Sequence, residues 1–225
     1  RLDSARTNEI ETPSPNLEPE HFLTYEVGLR YKKDRLGFAA SLFHTDIKDM
    51  IVRTPTGNII DGDNEVTKVN VGDGFTEGIE FSATFKLVEN WLLWANITWL
   101  DGEVDTYPTS APNKVREPVD RLMPMMWQAG TRWTCEACHF HIEGLVRAAQ
   151  DADELSSRDA ADTSRIPPGG TPGYGVFDLR AAWQMDDATQ ITLAIENLLD
   201  EDYRIHGSGT NMPGRNFIFA VNKTF

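Results

Sequence analysis

A two-residue rhythm governs this chain. Leu23, Tyr25, Val27, Leu29 and Tyr31 alternate with Thr24, Glu26, Gly28 and Arg30. Phe75, Ile79, Phe81, Ala83, Phe85 and Leu87 alternate with Thr76, Gly78, Glu80, Ser82, Thr84 and Lys86, and Ile191, Leu193 and Ile195 with Gln190, Thr192, Ala194 and Glu196. Successive side chains of a strand point to opposite faces, so each stretch predicts a strand with one apolar and one polar face. Helix-period stretches are nearly absent. The pattern gives about nine strands of roughly ten residues, the length a tilted strand needs to cross a bilayer. They lie near 22–31, 36–52, 74–87, 91–101, 123–134, 138–149, 174–184, 189–197 and 214–225.

The connections narrow the choice further. Lys32 to Arg35, Val88 to Asn90, Thr134 to Ala137 and Asp186 to Ala188 are tight turns, whereas 53–73, 102–122, 150–173 and 198–213 are long and polar. Short and long alternate strictly. A membrane barrel does this, with short turns at its periplasmic end and long loops outside; a soluble sandwich has no reason to. Trp91 and Trp99 share one strand face. At about 3.3 Å per residue and a tilt near 40° they sit roughly 20 Å apart along the membrane normal, the spacing of two interfacial girdles. Tyr31, Trp133, Trp183 and Phe225 fall at strand ends beside short turns or at the C-terminus.

Composition agrees where it bears on this. The mean hydropathy is −0.40 and no run of eighteen apolar residues occurs, so no membrane-spanning helix is expected. An alternating barrel keeps its average hydropathy low for the same reason. The formal net charge of −14 argues against a nucleic-acid partner, which needs clustered Lys and Arg. The first residues carry no signal-peptide pattern, which suggests a chain that starts inside a longer protein. If 198–213 is external, the first and last strands both run toward the periplasm. Such a set cannot close antiparallel on itself, and single-chain bacterial barrels have even strand numbers; both points favour a fragment.

Several stretches resemble a family. Asn16-Leu17-Glu18-Pro19-Glu20 followed by Thr24-Tyr25-Glu26-Val27-Gly28-Leu29 looks like the N-L-x-P-E…Y-E-x-G-L stretch of TonB-dependent receptor barrels. Phe43 to Ile51 resembles the strand that follows it, Gly78-Ile79-Glu80-Phe81 the G-x-E strand, and Glu196-Asn197-Leu198-Leu199-Asp200-Glu201-Asp202-Tyr203 the penultimate N-L-x-D-x-x-Y motif. His206 to Gly209 and Pro213 to Phe217 resemble the final loop and last strand. The motifs keep the family's order over most of residues 16–225. The resemblance implies an all-β, antiparallel transmembrane barrel of about 22 strands, of which residues 1–225 are the C-terminal portion, the N-terminal plug domain and TonB box being absent. It also implies a place in the bacterial outer membrane, a cargo such as a ferric siderophore, haem, vitamin B12 or a glycan, and energy drawn through the TonB complex. The alternative is a small, complete outer-membrane barrel with a structural or adhesive role.

Candidate functional residues follow. Phe217, Phe219, Val221 and Phe225 share one face of the last strand and resemble the terminal signal read by the barrel-assembly machinery, by strand addition; they also suit contact with outer-membrane lipid. Cys135-Glu136-Ala137-Cys138-His139 matches the C-x-x-C-H pattern of haem attachment, but fills a tight turn in an oxidising compartment, where a Cys135–Cys138 disulfide is the expected state. Glu26, Arg30, Glu80, Arg132, Glu143, Arg147, Asp178, Arg180 and Glu196 are expected to line the lumen. Asp61-Gly62-Asp63-Asn64-Glu65 places oxygens at alternate positions but lacks the full calcium-loop pattern, so a solvated turn is expected and no metal. His206, Asn211 and Arg215 are candidates to meet an anionic chelate. No G-x-S-x-G, H-E-x-x-H or phosphate-binding loop occurs, and neither an enzyme nor a resident cofactor is expected.

Overall fold

The computed structural model describes residues 2–3 and 8–224, and Phe225 lies outside them. Its strands are β1 (Leu2–Asp3), β2 (Glu9–Glu11), β3 (His21–Lys33), β4 (Leu36–Ile60), β5 (Asp63–Val88), β6 (Trp91–Thr106), β7 (Val115–Pro118), β8 (Met126–Cys135), β9 (Phe140–Ala149), β10 (Tyr174–Gln184), β11 (Thr189–Glu196) and β12 (Asn216–Lys223). One short helix, α1 (Ser157–Ala161), lies between β9 and β10. All twelve strands belong to one sheet, in which β3, β4, β5, β6, β8, β9, β10, β11 and β12 form an antiparallel series of chain neighbours.

These nine long strands are the nine expected from periodicity, and the register explains why the alternation had to be kept. Val27 pairs with Leu42, Leu42 with Ile79 and Ile79 with Trp99. Further along, Trp91 pairs with Trp133, Trp133 with Ile142, Ile142 with Ala181, Ala181 with Leu193 and Leu193 with Phe219. One face is therefore apolar from β3 to β12, and a one-residue slip in any strand would turn its apolar set inward. Val27, Leu29, Phe217 and Phe219 are more than half exposed. Left in water, each would forgo about 2 kcal/mol of burial, so this face is built for lipid. The turns at 34–35, 89–90, 136–139 and 185–188 all lie at the end where β12 finishes.

Two findings differ from the sequence reading. Residues 53–73, expected as a loop, are mostly strand: β4 and β5 run 25 and 26 residues and project as a hairpin beyond the apolar band. The hairpin turns on Asp61 (φ 53°) and Gly62 (φ 89°), the Asp-Gly pair that a two-residue turn with both φ positive demands. Its strands mix apolar and polar residues on both faces, with Val52 and Val66 buried on opposite sides, which removed the alternation that marks a strand. The short strands are the second difference: β2 pairs parallel with β5, and β7 pairs with the outer end of β6 inside the expected 102–122 loop. The apolar band ends on the outer side at the row His44–Glu77–Asp101.

The face opposite the lipid side carries the charged residues of the long strands. β3 at one edge and β12 at the other each have one hydrogen-bonded neighbour, so the sheet of described residues is open.

Candidate functional site

The inner wall is wired by charge. Asp178 on β10 has a fully buried carboxylate; it accepts from Arg147 Nε at 2.9 Å and Nη2 at 3.1 Å, and from the backbone N–H of Asn197 at 2.9 Å. The fork geometry of Arg147 matches both oxygens, which is what makes a buried carboxylate tolerable. Glu143 accepts from Trp94 Nε1 at 2.9 Å and Arg132 Nη2 at 2.7 Å. Trp94 can lie across the wall because its cross-strand neighbour is Gly130, where a Cβ would fall 2.6 Å from the indole ring. Arg180 Nη2 lies 3.6 Å from Glu196 Oε1, and Glu26 accepts from Ser41 Oγ at 2.5 Å. Glu26, Arg30 and Glu80 line a groove of about 670 Å³ on this wall. Of the nine luminal charges expected, all lie on the polar face that the register defines.

At the outer end the loop after β11 is folded on itself by the Asn197–Tyr203 motif. Asn197 adopts φ 51°, donates through Nδ2 to Glu201 O (2.8 Å) and Pro213 O (3.2 Å), and accepts from Glu201 N (2.8 Å). Tyr203 is buried with its ring 4.6 Å from that of Tyr174. Asp200 Oδ1 accepts the backbone N–H of Arg215 at 2.7 Å.

The three residues expected to meet cargo are each placed in this scaffold. Arg215 Nε donates to Leu198 O at 2.9 Å. Asn211 bridges Arg204 Nε (2.9 Å) and Asp202 Oδ1 (2.8 Å). His206 is buried, with Nδ1 3.0 Å from Thr171 Oγ1. Burial lowers its pKa; the negative charge of Asp159 opposes the shift and the positive charge of Arg121 adds to it. His206 lines a small cavity with Met123, Met126 and Tyr174 that Asn211 and Arg215 do not reach.

The segment 107–121, between β6 and β8, ties the external structure together. At its start, the fully buried carboxylate of Glu9 accepts from Arg53 Nη1 (2.8 Å) and Ser110 Oγ (2.7 Å), while Arg53 Nη2 donates to Tyr107 O (2.6 Å) and Thr109 O (2.9 Å). At its end, the backbone N–H of Arg121 donates to Asp159 Oδ2 at 2.7 Å, and its guanidinium reaches Asp159 Oδ1 at 3.2 Å and Asp162. Ser156 caps α1 by accepting from Asp159 N (3.1 Å) and donates to Asp120 Oδ1 (2.6 Å); Glu117 accepts from Ser157 N and Oγ. The Ser164 hydroxyl, with the guanidinium groups of Arg121 and Arg165, holds the Asp162 carboxyl far below the usual carboxylate range. No sequence signal exposed Arg53, Arg121 or Asp162; the Ser156-x-x-Asp159 spacing, which the sequence reading passed over inside the 150–173 loop, is the one local pattern that could have marked the helix start.

At the opposite end Cys135 and Cys138 are disulfide-bonded across the β8–β9 turn, so neither thiol is free for haem. His139 takes φ 53° in the same turn. No group of His, Cys, Asp and Glu with metal-binding geometry occurs among the described residues.

An antiparallel sheet with one lipid-facing side, a polar inner wall, tight turns at one end and long segments at the other defines the outer-membrane type of β-barrel. Within that class the chain belongs to the TonB-dependent receptors of the bacterial outer membrane: residues 3–198 match the family described as TonB dependent receptor-like, beta-barrel. It is 24% identical over 95% of its length to the probable TonB-dependent siderophore receptor PiuA of Acinetobacter baumannii, covering 28% of that protein. It is 25% identical over 97% of its length to the vitamin B12 transporter BtuB of Vibrio vulnificus, covering 32%. Its fold superimposes on the FrpB iron transporter of Neisseria meningitidis with a TM-score of 0.73, over 97% of this chain and 34% of that one, at 18% identity. The chain thus spans about a third of the length of the proteins it matches.

Proposed function

We propose that residues 1–225 form the C-terminal portion of the barrel of a receptor that imports ferric siderophores or similarly scarce nutrients, with a plug domain and TonB box supplied by sequence outside this stretch. The family match over residues 3–198 carries the reading. The names of PiuA and FrpB, a siderophore receptor and an iron transporter, support iron as the cargo element. In this reading the chain moves cargo and does not transform it. The Arg147–Asp178 and Arg132–Glu143 pairs make a polar wall for the plug and for water. His206, Asn211 and Arg215 serve the cargo by fixing the shape of the 198–213 loop. Phe217, Phe219, Val221 and Phe225 present the last strand to the barrel-assembly machinery and then face lipid. The Cys135–Cys138 bridge pins a periplasmic turn.

The test is radio-iron uptake from a panel of ferric siderophores by cells with the full-length gene intact, deleted, or intact in a background lacking TonB. Uptake of at least one chelate should vanish in both altered strains. Undiminished uptake of every chelate after deletion would sink the proposal.

A further inference from the structure

The fold sorts charge in a way composition alone conceals. The described segments beyond the apolar band are residues 8–20, 44–77, 101–125, 150–173 and 197–215, and together they hold 24 Asp and Glu against 10 Lys and Arg. That imbalance equals the net charge of the entire chain, −14. The membrane strands and short turns are close to neutral. The acidity of this chain is therefore a property of one end, the end a cargo meets first.

The second observation concerns the cations at that end. Lys48, Arg53, Lys68, Lys114, Arg116, Arg121, Arg158 and Arg165 each lie within ion-pair distance of a carboxylate. The remaining two, Arg204 and Arg215, donate to Asn211 Oδ1 and Leu198 O. An anion receptor needs several convergent cations with donors to spare; at this end eight of the ten cations already face a carboxylate, and only Arg204 and Arg215 do not. Many of its carboxylates, by contrast, stand in solvent: Asp61, Asp153 and Glu154 are exposed and take part in no ion pair or side-chain hydrogen bond among the described residues.

Resting on the nutrient-receptor reading, we propose that this mouth selects its cargo by charge: it draws cationic chelates and repels polyanionic ones. The mechanism is steering. A surface of one sign raises the local concentration of oppositely charged ligands and speeds their association by roughly ten- to a thousandfold at low ionic strength. The effect fades once the screening length falls to about 3 Å near 1 M salt.

The experiment uses the full-length receptor in nanodiscs and two probes, a ferric trihydroxamate carrying a free ammonium group and a ferric tris-catecholate. Association rates are measured across a salt series for the natural protein and for the triple variant Asp61→Asn, Asp153→Lys, Glu154→Lys, Asn being the neutral residue that the positive φ at position 61 accepts. Correct assembly of the variant is checked by its heat-modifiable migration on a gel. The cationic probe should associate at least about tenfold faster at low salt, and salt and the triple variant should each shrink that ratio. A tris-catecholate that associates as fast as the cationic probe at low salt, or faster, overturns the charge selection while leaving the receptor reading intact. Failure of the full-length protein to bind or import either probe or any other chelate takes down both, and is thereby distinguishable.

Discussion

Arg121→Gln probes the joint on which three external segments meet. Arg121 reaches Asp159 and Asp162 from the 107–121 segment, and Gly207 packs against its side chain, where a Cβ would lie 3.3 Å from Arg121 Cδ. The Asp159 side chain is 3% exposed, so removing its cation strands a carboxylate away from water. Breaking a fully buried pair costs about 3–5 kcal/mol. Arg121 is itself 34% exposed, and Asp159 keeps its 2.7 Å bond from the Arg121 backbone N–H, while Asp162 keeps Arg165. Water and the surviving donors absorb part of the loss, which leaves about 2 kcal/mol. At 1.4 kcal/mol per decade, local opening rises roughly thirtyfold. Hydrogen exchange on the full-length receptor should show faster exchange in peptides covering 156–166 and 204–208. Peptides across the β8–β9 turn should be unchanged. A rise below about threefold in the loop peptides would refute the argument, because opening must follow the lost pair if that pair holds the loops.

Other outcomes follow from the same structure. His206 is buried with a lowered pKa, so its folded state favours the neutral ring; the stability it contributes is full above its unfolded value near 6.5 and is lost as pH falls through the lower folded value. Once exchange is corrected for its intrinsic pH dependence, the opening constant of the 198–213 loop should therefore rise as pH drops below about 6.5, and His206→Gln should flatten that dependence. Gly78→Ala places a Cβ 2.5 Å from the Phe43 ring and 2.8 Å from the Trp99 carbonyl. It should cost about 1–3 kcal/mol and lower the temperature at which the receptor loses its heat-modifiable gel form. A four-residue disulfide loop restricts the unfolded chain by about 2 kcal/mol at most, so Cys135→Ser with Cys138→Ser should leave cargo binding unchanged. With only one of the pair replaced, the remaining thiol should resist an impermeant maleimide on intact cells and react once the outer membrane is opened; labelling of intact cells would invert the assigned orientation.

Much of the architecture was legible in advance because it is local. The alternation Leu23-Tyr25-Val27 reports which face a strand shows to lipid, and that follows from pleat geometry within a few residues. The tight turns, the polar luminal positions such as Arg147 and Asp178, and the ordered motifs from Asn16 to Tyr203 could be read the same way. The projecting hairpin could not. Beyond the membrane neither face of β4 and β5 is held to an apolar rule, so 53–73 carried no alternation to read, though its Asp61-Gly62 turn was there to see.

The site was less legible for a different reason. His206, Asn211 and Arg215 stood out by residue type, yet type does not say whether a side chain is already engaged by the protein itself, and each of these is: His206 by Thr171 of another segment, Asn211 and Arg215 within their own loop. Arg121 and Asp159 are 38 positions apart, Glu9 and Arg53 are 44, and Glu9 and Ser110 are 101. No short-range pattern links such partners. They meet because the strand register brings separate loops to one end of the sheet, and the same register gathers the chain's negative charge there. The sequence by itself determined the faces, the turns and the family; which charges are paired, and at which end the acidity stands, only the tertiary structure decided, because both depend on contacts that close across the whole sheet.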